Sequence, residues 1–377
     1  RGTYPNPIFQ AGTRPYKTPA DGGAIARDAE GNPSSTGTNE QMCYSAAIPK
    51  GVAMPAAGWP VVIYAHGTGG YFAGLTQTDS QLAQLFAEAG YASISFDNVM
   101  HGRRQSNDGS VTLETIVDAG QSFFNLANPR ASRDNILQGS ADLFHLVRLL
   151  RSDTTGLAVP NNGNLQNVRI NPNKIIFVGH SQGTVIASAF IAAETDIDGI
   201  ILSGAGADLM LSILNKKQPI DMSTVAGFFF GDTNLTRIHP IMGLMSTLFG
   251  ESDMLSYAAT YVREPITGRT PIPLLLFSGL YDSFTPTETH NALMRSAGLP
   301  IIGSLQAEVA GVVNNSSSEV SQNLNGTTAG ALQFTPTSSG ETLDYDGHFI
   351  IYYDSVAQES IRTFLGSALT GTVKIKR

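Results

Sequence analysis

The chain carries a serine in the pattern Gly-x-Ser-x-Gly, the segment Gly179-His-Ser-Gln-Gly183. An apolar, β-branched run from Lys174 precedes the motif, and a helix-forming stretch, residues 184–194, follows it. This context predicts a sharp strand-to-helix turn that presents the hydroxyl of Ser181 as a nucleophile. A chance match in a chain rich in serine and glycine is the alternative interpretation, and the flanking strand and helix argue against it.

A second glycine-rich segment, His66-Gly-Thr-Gly-Gly70, follows a predicted buried strand over residues 59–65. When a serine attacks a carbonyl group, the resulting oxyanion needs two preoriented N–H donors. The amide of Gln182 is expected to be one donor, and the amide of Thr68 or Gly69 is expected to be the other. An ordinary glycine turn after a strand is the alternative.

The serine also needs a base, which must be one of seven histidines. If the acid follows the nucleophile and the base comes last, the earliest three are excluded: His66, His101 and His145. His66 is interpreted as a brace for its own loop. His180 occupies the serine turn, and His290 lies inside a helical pattern over residues 287–297. His348 remains, in a segment of turn-forming residues that leads into an apolar run, although it could instead be a surface-loop histidine.

The acid that would orient His348 is expected at Asp282. It follows a predicted buried strand, residues 272–278, and catalytic groups in open parallel sheets collect at the carboxyl ends of the strands. Its carboxylate would accept a hydrogen bond from the imidazole and stabilise the imidazolium that forms during catalysis. Asp208, after a predicted strand at 199–203, is the reserve candidate. Asp282 could also be a simple turn or helix-capping residue.

Taken together, these motifs and the order Ser181, Asp282, His348 resemble the α/β-hydrolase superfamily, and within it the serine esterases and lipases. The resemblance extends over about residues 59–370. It implies an α/β-hydrolase fold, with a mostly parallel central sheet of the eight-strand type flanked by helices, and acyl transfer in two steps through an acyl-enzyme. A weaker likeness to bacterial extracellular lipases and polyester depolymerases rests on the segment at 66–70 and on Asp346-Gly-His-Phe349.

The expected organisation is an extended N-terminal arm over residues 1–45, rich in Pro, Gly, Asn and Thr, and one catalytic domain over 46–377. The alternation of apolar strands and helical patterns predicts parallel strands with crossover helices. The connection from Asp282 to His348 is longer than such enzymes usually have, so we expect a surface insertion over 299–340. Residues 205–270 are expected to form a cap or lid of helices.

The cap segment is more apolar than one crossover helix requires, so some of its side chains are expected to face the cleft. Phe229 and Leu248 are the predicted substrate-binding residues, and helices that only pack on the core are the alternative. Arg103 and Arg104 could line the cleft, or lie in a solvated loop.

Composition limits the remaining possibilities. A net charge of −8 and a pI near 5.3 argue against a nucleic-acid partner. No apolar run is as long as a membrane span, so no transmembrane segment is expected. The single cysteine, Cys43, is interpreted as a buried apolar residue. Because only 14% of the residues are charged, we expect a secreted or periplasmic protein.

The sequence thus predicts a carboxylic-ester hydrolase that acts on a small-molecule or polymeric ester with an apolar acyl or aryl group. It is expected to use no metal and no cofactor, and its oligomeric state stays open. The alternatives are a polyester depolymerase, a serine peptidase or amidase on the same fold, and a catalytically inactive hydrolase-like binding protein.

Overall fold

The fold is described from a computed structural model that covers residues 1–77, 80–107, 109, 116–152, 157–161, 164–339 and 342–377. Residue 340, the end of the expected surface insertion, lies outside the described residues. No helix in the described ranges is long and apolar enough to cross a membrane.

The strands of the described ranges fall into one large sheet and several small two-stranded ones. In chain order they are β1 (Gly2–Pro7), β2 (Gln10–Gly12), β3 (Gly22–Ile25), β4 (Asn39–Ala47), β5 (Trp59–Ala65), β6 (Ala92–Phe96), β7 (Leu157–Asn161), β8 (Asn164–Val168), β9 (Ile170–His180), β10 (Gly199–Ser203), β11 (Leu274–Gly279), β12 (Ile301–Ile302), β13 (Asn314–Asn315), β14 (Glu319–Val320), β15 (Ala329–Phe334), β16 (Ser338–Ser339), β17 (Thr342–Leu343) and β18 (Ile375–Lys376).

The large sheet contains ten of these strands in the order β1-β4-β6-β5-β9-β10-β11-β15-β12-β13. From β6 to β13 the neighbouring strands are parallel, whereas β4 pairs antiparallel with both β1 and β6. The carboxyl ends of β5, β9, β10 and β11 therefore meet at one edge, which is where ligands collect in parallel sheets.

The helices follow the strands along the chain. They are α1 (Gln81–Glu88), α2 (Ile116–Phe123), α3 (Pro129–Ser152), α4 (Gln182–Val185), α5 (Ser188–Ala193), α6 (Leu209–Asn215), α7 (Met222–Phe230), α8 (Pro240–Phe249), α9 (Met254–Tyr261), α10 (Thr287–Ala297), α11 (Ile350–Tyr353) and α12 (Ser355–Thr370). The expected cap, residues 205–270, contains α6 to α9.

Alternating side chains of each central strand serve the two faces of the sheet. In β5, Val61 and Ile63 belong to a large apolar cluster that includes residues of α3, α5 and α9. Val62 and Tyr64 point to a second cluster, formed with α1 and α12. Because both faces are covered, β5 is buried along its whole length, which explains why it appears in the sequence as a continuous apolar run.

The first 45 residues do not only wrap the surface. Strand β1 and most of β4 come from this segment and form one edge of the large sheet. The expectation of an extended surface arm is wrong for these two stretches. Their signal was weak because the strands carry polar residues and proline, whereas sequence patterns detect a half-buried strand by apolar alternation.

The expected surface insertion at 299–340 also contributes to the sheet. Strand β15 lies within it, is buried along its whole length and pairs with β11. Strands β12 and β13 extend the sheet beyond β15. The long connection between Asp282 and His348 therefore includes the neighbouring sheet strand as well as surface turns.

Candidate active site

The candidate nucleophile lies on a strained turn between β9 and α4. Ser181 has φ 53° and ψ −122°, a backbone conformation that non-glycine residues rarely adopt. Its amide donates to the carbonyl of Ser203 on the neighbouring strand at 2.9 Å. A Cβ atom at Gly183 would lie 2.0 Å from the carbonyl oxygen of Ala65, so only glycine allows α4 to approach β5 so closely. The geometry is that of a nucleophile elbow.

A hydrogen bond connects the candidate base and the candidate acid. Nδ1 of His348 is 2.8 Å from Oδ2 of Asp282, and both side chains are buried. The other carboxylate oxygen of Asp282 accepts from the amides of Phe284 and Thr285. One side chain thus makes both the turn contacts and the contact with His348 that the sequence analysis treated as alternatives.

The electrostatics favour an ionised Asp282. Burial alone would raise the pKa of this carboxyl, but His348 and the second histidine, His290, outweigh it and hold the pKa well below its ordinary value. Nε2 of His290 is 3.4 Å from Oδ2 of Asp282, too long for a good hydrogen bond. His290 lies in α10, as the helical pattern predicted.

Asp208, the reserve acid, has a different role. It is the N-cap residue of α6, where its carboxylate accepts from the amide of Leu211. The same carboxylate forms an ion pair with Arg237 at 3.0 Å. Its side chain is therefore engaged in the cap, and Asp282 is the acid that contacts His348.

One residue that the sequence analysis missed joins the two loops of the acid and the base. Asp346 accepts from the amide of His348 at 2.9 Å and from the amide and hydroxyl of Ser283. Close packing reinforces this joint, because a Cβ atom at Gly347 would lie 2.0 Å from the carbonyl oxygen of Leu280. The only signal in the sequence was an aspartate two residues before the candidate base, and turn formers of this kind are common.

Aromatic rings surround the imidazole of His348. Phe284 stacks on it with 5.0 Å between ring centroids and 20° between planes. His180 packs against it at 4.7 Å. Burial, together with the nearby His348, lowers the pKa of His180 well below its ordinary value, so His180 is neutral at pH 7.

A hydrogen bond connects the two segments that carry the candidate oxyanion donors. The hydroxyl of Thr68 donates to Oε1 of Gln182 at 2.8 Å. Gly69, the other candidate, donates its amide to Nε2 of His101 at 3.0 Å, so this amide is already used. Of the two proposed donors in this segment, the Thr68 amide is therefore the one that could donate to the oxyanion together with the Gln182 amide.

Two buried histidines fix the loop at 66–70. Nε2 of His66 accepts from the amide of Asn98 at 3.2 Å, and its Nδ1 contacts the carbonyl of Gly67 at 2.8 Å. Burial lowers the pKa of His66 to about 3 and that of His101 to about 4. Both rings are therefore neutral at pH 7 and act as hydrogen-bonding supports.

Ser181 and His348 line one cavity of about 360 Å³, and residues of α6, α7 and α8 form part of its wall. Its wall also contains Thr68, Gln182 and a mostly apolar set of side chains: Phe124, Leu126, Val185, Leu209, Met210, Ile213, Ile220, Met222, Val225, Phe229, Phe249, Phe284 and Phe349. An apolar cavity with a few convergent polar groups is typical of a small-molecule site.

The two predicted substrate-binding residues, Phe229 and Leu248, differ in their position relative to the cavity. Phe229 lines the cavity, but Leu248 does not; it packs against the main core, and its neighbour Phe249 lines the cavity instead. Successive residues of a helix point about 100° apart, so a one-residue error in phase exchanges a cavity position for a packing position.

Arg104 does not line the cavity either. It is buried beside β4, where it forms ion pairs with Glu40 and Asp142. Arg103 is not part of the described cavity wall. Within the described ranges, no group of three or more His, Cys, Asp or Glu side chains is placed to hold a metal ion.

A cation in the cavity wall was also missed. Lys216 follows α6, and its Nζ donates to the carbonyl of Phe284 at 2.6 Å. Burial lowers the pKa of Lys216 to about 8, with the carboxylates of Asp282 and Asp346 opposing this effect. Nothing in the local sequence distinguishes it from the adjacent Lys217, because its position depends on contacts with a loop far along the chain.

No protein-family model matches the chain. No curated protein matches it either. Solved structures do. An acetyl xylan esterase from Paenibacillus sp. R4 is 14% identical, with a TM-score of 0.53, over 87% of this chain and 80% of that one. An esterase from Pyrococcus furiosus is also 14% identical, with a TM-score of 0.43, over 88% of each chain.

At such low identity, the similarity to the Paenibacillus structure supports the fold alone. The mostly parallel sheet, the helices on its two faces and the sharp strand-to-helix turn at Ser181 agree with it. The fold predicted from the sequence is confirmed: this chain has the α/β-hydrolase fold.

Proposed function

We propose that this chain is a carboxylic-ester hydrolase of the esterase or lipase type, with Ser181, His348 and Asp282 as its catalytic triad. The main support is the bond from His348 to a buried, ionised Asp282 in a cavity that also contains Ser181 on its strained turn. The mostly apolar cavity wall supports an ester with an apolar acyl or aryl group.

In the proposed mechanism, Oγ of Ser181 attacks the ester carbonyl while Nε2 of His348 takes the serine proton. Asp282 accepts a hydrogen bond from the Nδ1–H of His348, which fixes the tautomer, and its charge stabilises the imidazolium. The amides of Gln182 and Thr68 would donate to the oxyanion. Collapse of the tetrahedral intermediate expels the alcohol, which receives the proton from His348, and leaves an acyl group on Ser181. Water then releases the acid by the same steps.

The test is covalent labelling. An organophosphonate should add one adduct to the parent protein, measured by intact-mass spectrometry, and none to Ser181→Ala. We expect Ser181→Ala to lower kcat by on the order of 10⁴-fold or more, because the base and acid have no function without the nucleophile. Ser212→Ala, at another serine of the cavity wall, is the control and should keep both properties. Full activity in Ser181→Ala would refute the proposal.

Three alternatives can be separated by substrate. A polyester depolymerase needs a cleft open to a polymer, whereas cap residues such as Phe229 and Met222 supply part of this cavity wall. A peptidase or amidase would cleave anilides as well as esters, and an inactive binding protein would cleave neither. A p-nitrophenyl ester series from acetate to palmitate, run beside p-nitroanilides and a polyester film, distinguishes all of them.

We also propose export from the cytoplasm as a secreted or periplasmic protein. The support is compositional: only 14% of the residues are charged. Cell fractionation of the source organism with an antibody against this chain would test it, and recovery in the cytoplasm alone would contradict it.

A further inference from the structure

One cationic side chain stands in the mostly apolar wall of the cavity. Among the described residues that line it, Lys216 is the only lysine or arginine. Removing an ammonium group from water is costly unless partners replace its hydration. Its presence there therefore needs a physical reason.

The protein supplies only part of the required partnership. The bond to the carbonyl of Phe284 uses one N–H of Lys216, whereas an ammonium group has three. In the described part of the chain, no carboxylate forms an ion pair with Lys216. The adjacent Lys217, by contrast, is exposed and pairs with Asp221 at 2.8 Å.

The nearby acidic groups are already engaged. Asp282 bonds to His348, and Asp346 bonds to Ser283 and to the amide of His348. Asp208, which also lines the cavity, pairs with Arg237. These contacts leave the charge of Lys216 available to a ligand.

The ammonium group is close to the reacting centre. Nζ of Lys216 is 5.8 Å from the centroid of the Phe284 ring, and the imidazole of His348 packs on the same ring at 5.0 Å between centroids. The cation and the candidate base thus contact one aromatic ring. A group on the substrate could reach Lys216 while the ester carbonyl lies at Ser181.

We propose that Lys216 binds an anionic group of the substrate, so that esters carrying a carboxylate are preferred over neutral esters of the same length. The inference rests on the proposed ester hydrolysis and specifies its substrate class. A general attraction for anions would not account for such a preference, because the whole chain carries a net charge of −8 and would repel them.

The experiment compares matched pairs of p-nitrophenyl esters. The half-esters of adipic, pimelic and suberic acid are set against the hexanoate, heptanoate and octanoate, with the uncatalysed rates subtracted. We expect the parent protein to show, in at least one pair, a kcat/KM about tenfold higher for the carboxylated ester, because only that substrate can form a charge-assisted hydrogen bond with Lys216. The ratio within a pair cancels any general loss of activity.

Two variants assign the preference to Lys216. Lys216→Gln keeps a hydrogen-bond donor but carries no charge, and it should lose the preference, measured as the ratio of kcat/KM within each pair. Lys217→Met removes the neighbouring surface charge and should keep the preference.

Two results would overturn the inference alone. One is the same ratio of kcat/KM between carboxylated and neutral esters in the parent and in Lys216→Gln. The other is a loss of the preference in Lys217→Met equal to the loss in Lys216→Gln. In either case Ser181-dependent hydrolysis of neutral esters would leave the proposed function intact. Failure to hydrolyse any ester of either kind would overturn both proposals.

Discussion

Asp282 divides its two carboxylate oxygens between structure and chemistry. One oxygen accepts from two amides of its own turn, and the other accepts from His348. Because the turn holds the carboxylate, the position of the imidazole is determined by the backbone of one loop. Asp346 then connects this loop to the loop of His348. The relative position of Asp282 and His348 thus depends on a second carboxylate, which has no role in the proposed chemistry.

At the same scale, Asp282 and Asp208 can be compared directly. Asp282→Asn should lower kcat by several orders of magnitude, because the amide favours the wrong imidazole tautomer. Asp208→Asn should change kcat little, since asparagine is also a good N-cap residue and only the ion pair with Arg237 is lost. Steady-state rates on one p-nitrophenyl ester measure both. A severe loss of kcat in Asp208→Asn, with a mild loss in Asp282→Asn, would identify Asp208 as the catalytic acid instead.

The three residues of the proposed triad could be selected as candidates from the sequence because each follows an apolar strand or precedes an apolar run. Chain order then removed most other histidines. Asp346 and Lys216 could not be chosen this way, because their roles come from contacts with Ser283 and Phe284 in another loop. The sequence also could not show that the amide of Gly69, a candidate donor, already donates to His101.

At the scale of elements, helices α6, α7 and α8 supply the part of the cavity wall that chain order could not specify. Central strands such as β5 were predictable because burial on both faces makes them uniformly apolar. The helix α8 is apolar nearly all round, so its sequence alone does not tell which side faces the cavity. This is why Phe249, and not the predicted Leu248, contributes to the wall.

Two adjacent phenylalanines of α7 allow a matched test of the cap. Phe229 lines the cavity with 47% of its surface exposed, whereas Phe228 is 89% exposed and does not line it. Phe229→Ala should change the relative kcat/KM between short and medium acyl chains by roughly ten- to thirtyfold, as expected for about 1–2 kcal/mol of apolar contact. Phe228→Ala should leave the chain-length profile unchanged.

The p-nitrophenyl ester series measures this profile, and thermal unfolding provides the control. Both variants should lose less stability than the about 2–5 kcal/mol of a buried large-to-small substitution. If both keep the parent profile but Phe229→Ala unfolds far earlier, then α7 packs on the core without contacting the acyl group.

For the whole molecule, a buried ionic network attaches the N-terminal strands to the rest of the fold. Glu40 of β4 accepts from Arg14 and Arg104, and Arg104 also pairs with Asp142 of α3 at 2.8 Å. Asn6 of β1 donates to the same aspartate. The contacts join residues far apart in the chain, so no local pattern could reveal them, and the two strands were therefore mistaken for a surface arm.

The network should make stability depend on pH through Glu40. Burial alone would raise the pKa of this carboxyl, but Arg104 and Arg14 outweigh it and lower the pKa to about 2. A group whose pKa is lower in the folded state stabilises the fold above its unfolded pKa, and this contribution is lost as the pH falls towards the folded value. For Glu40 the window runs from about pH 4.5 down to about pH 2.

Glu40→Gln should therefore lower the free energy of unfolding by about 3 kcal/mol at pH 7, because it removes the counter-ion of the buried Arg14 and one of the two counter-ions of the buried Arg104. The difference from the parent should shrink as the pH falls below about 4.5, since protonation neutralises the parent carboxyl as well. Urea unfolding at a series of pH values measures this difference. Glu319→Gln, at an exposed ion pair with Lys374, is the control and should resemble the parent throughout, because exposed pairs contribute little. A difference for Glu40→Gln that stays constant from pH 7 to pH 3 would mean that packing, and not the charge of Glu40, holds the N-terminal strands.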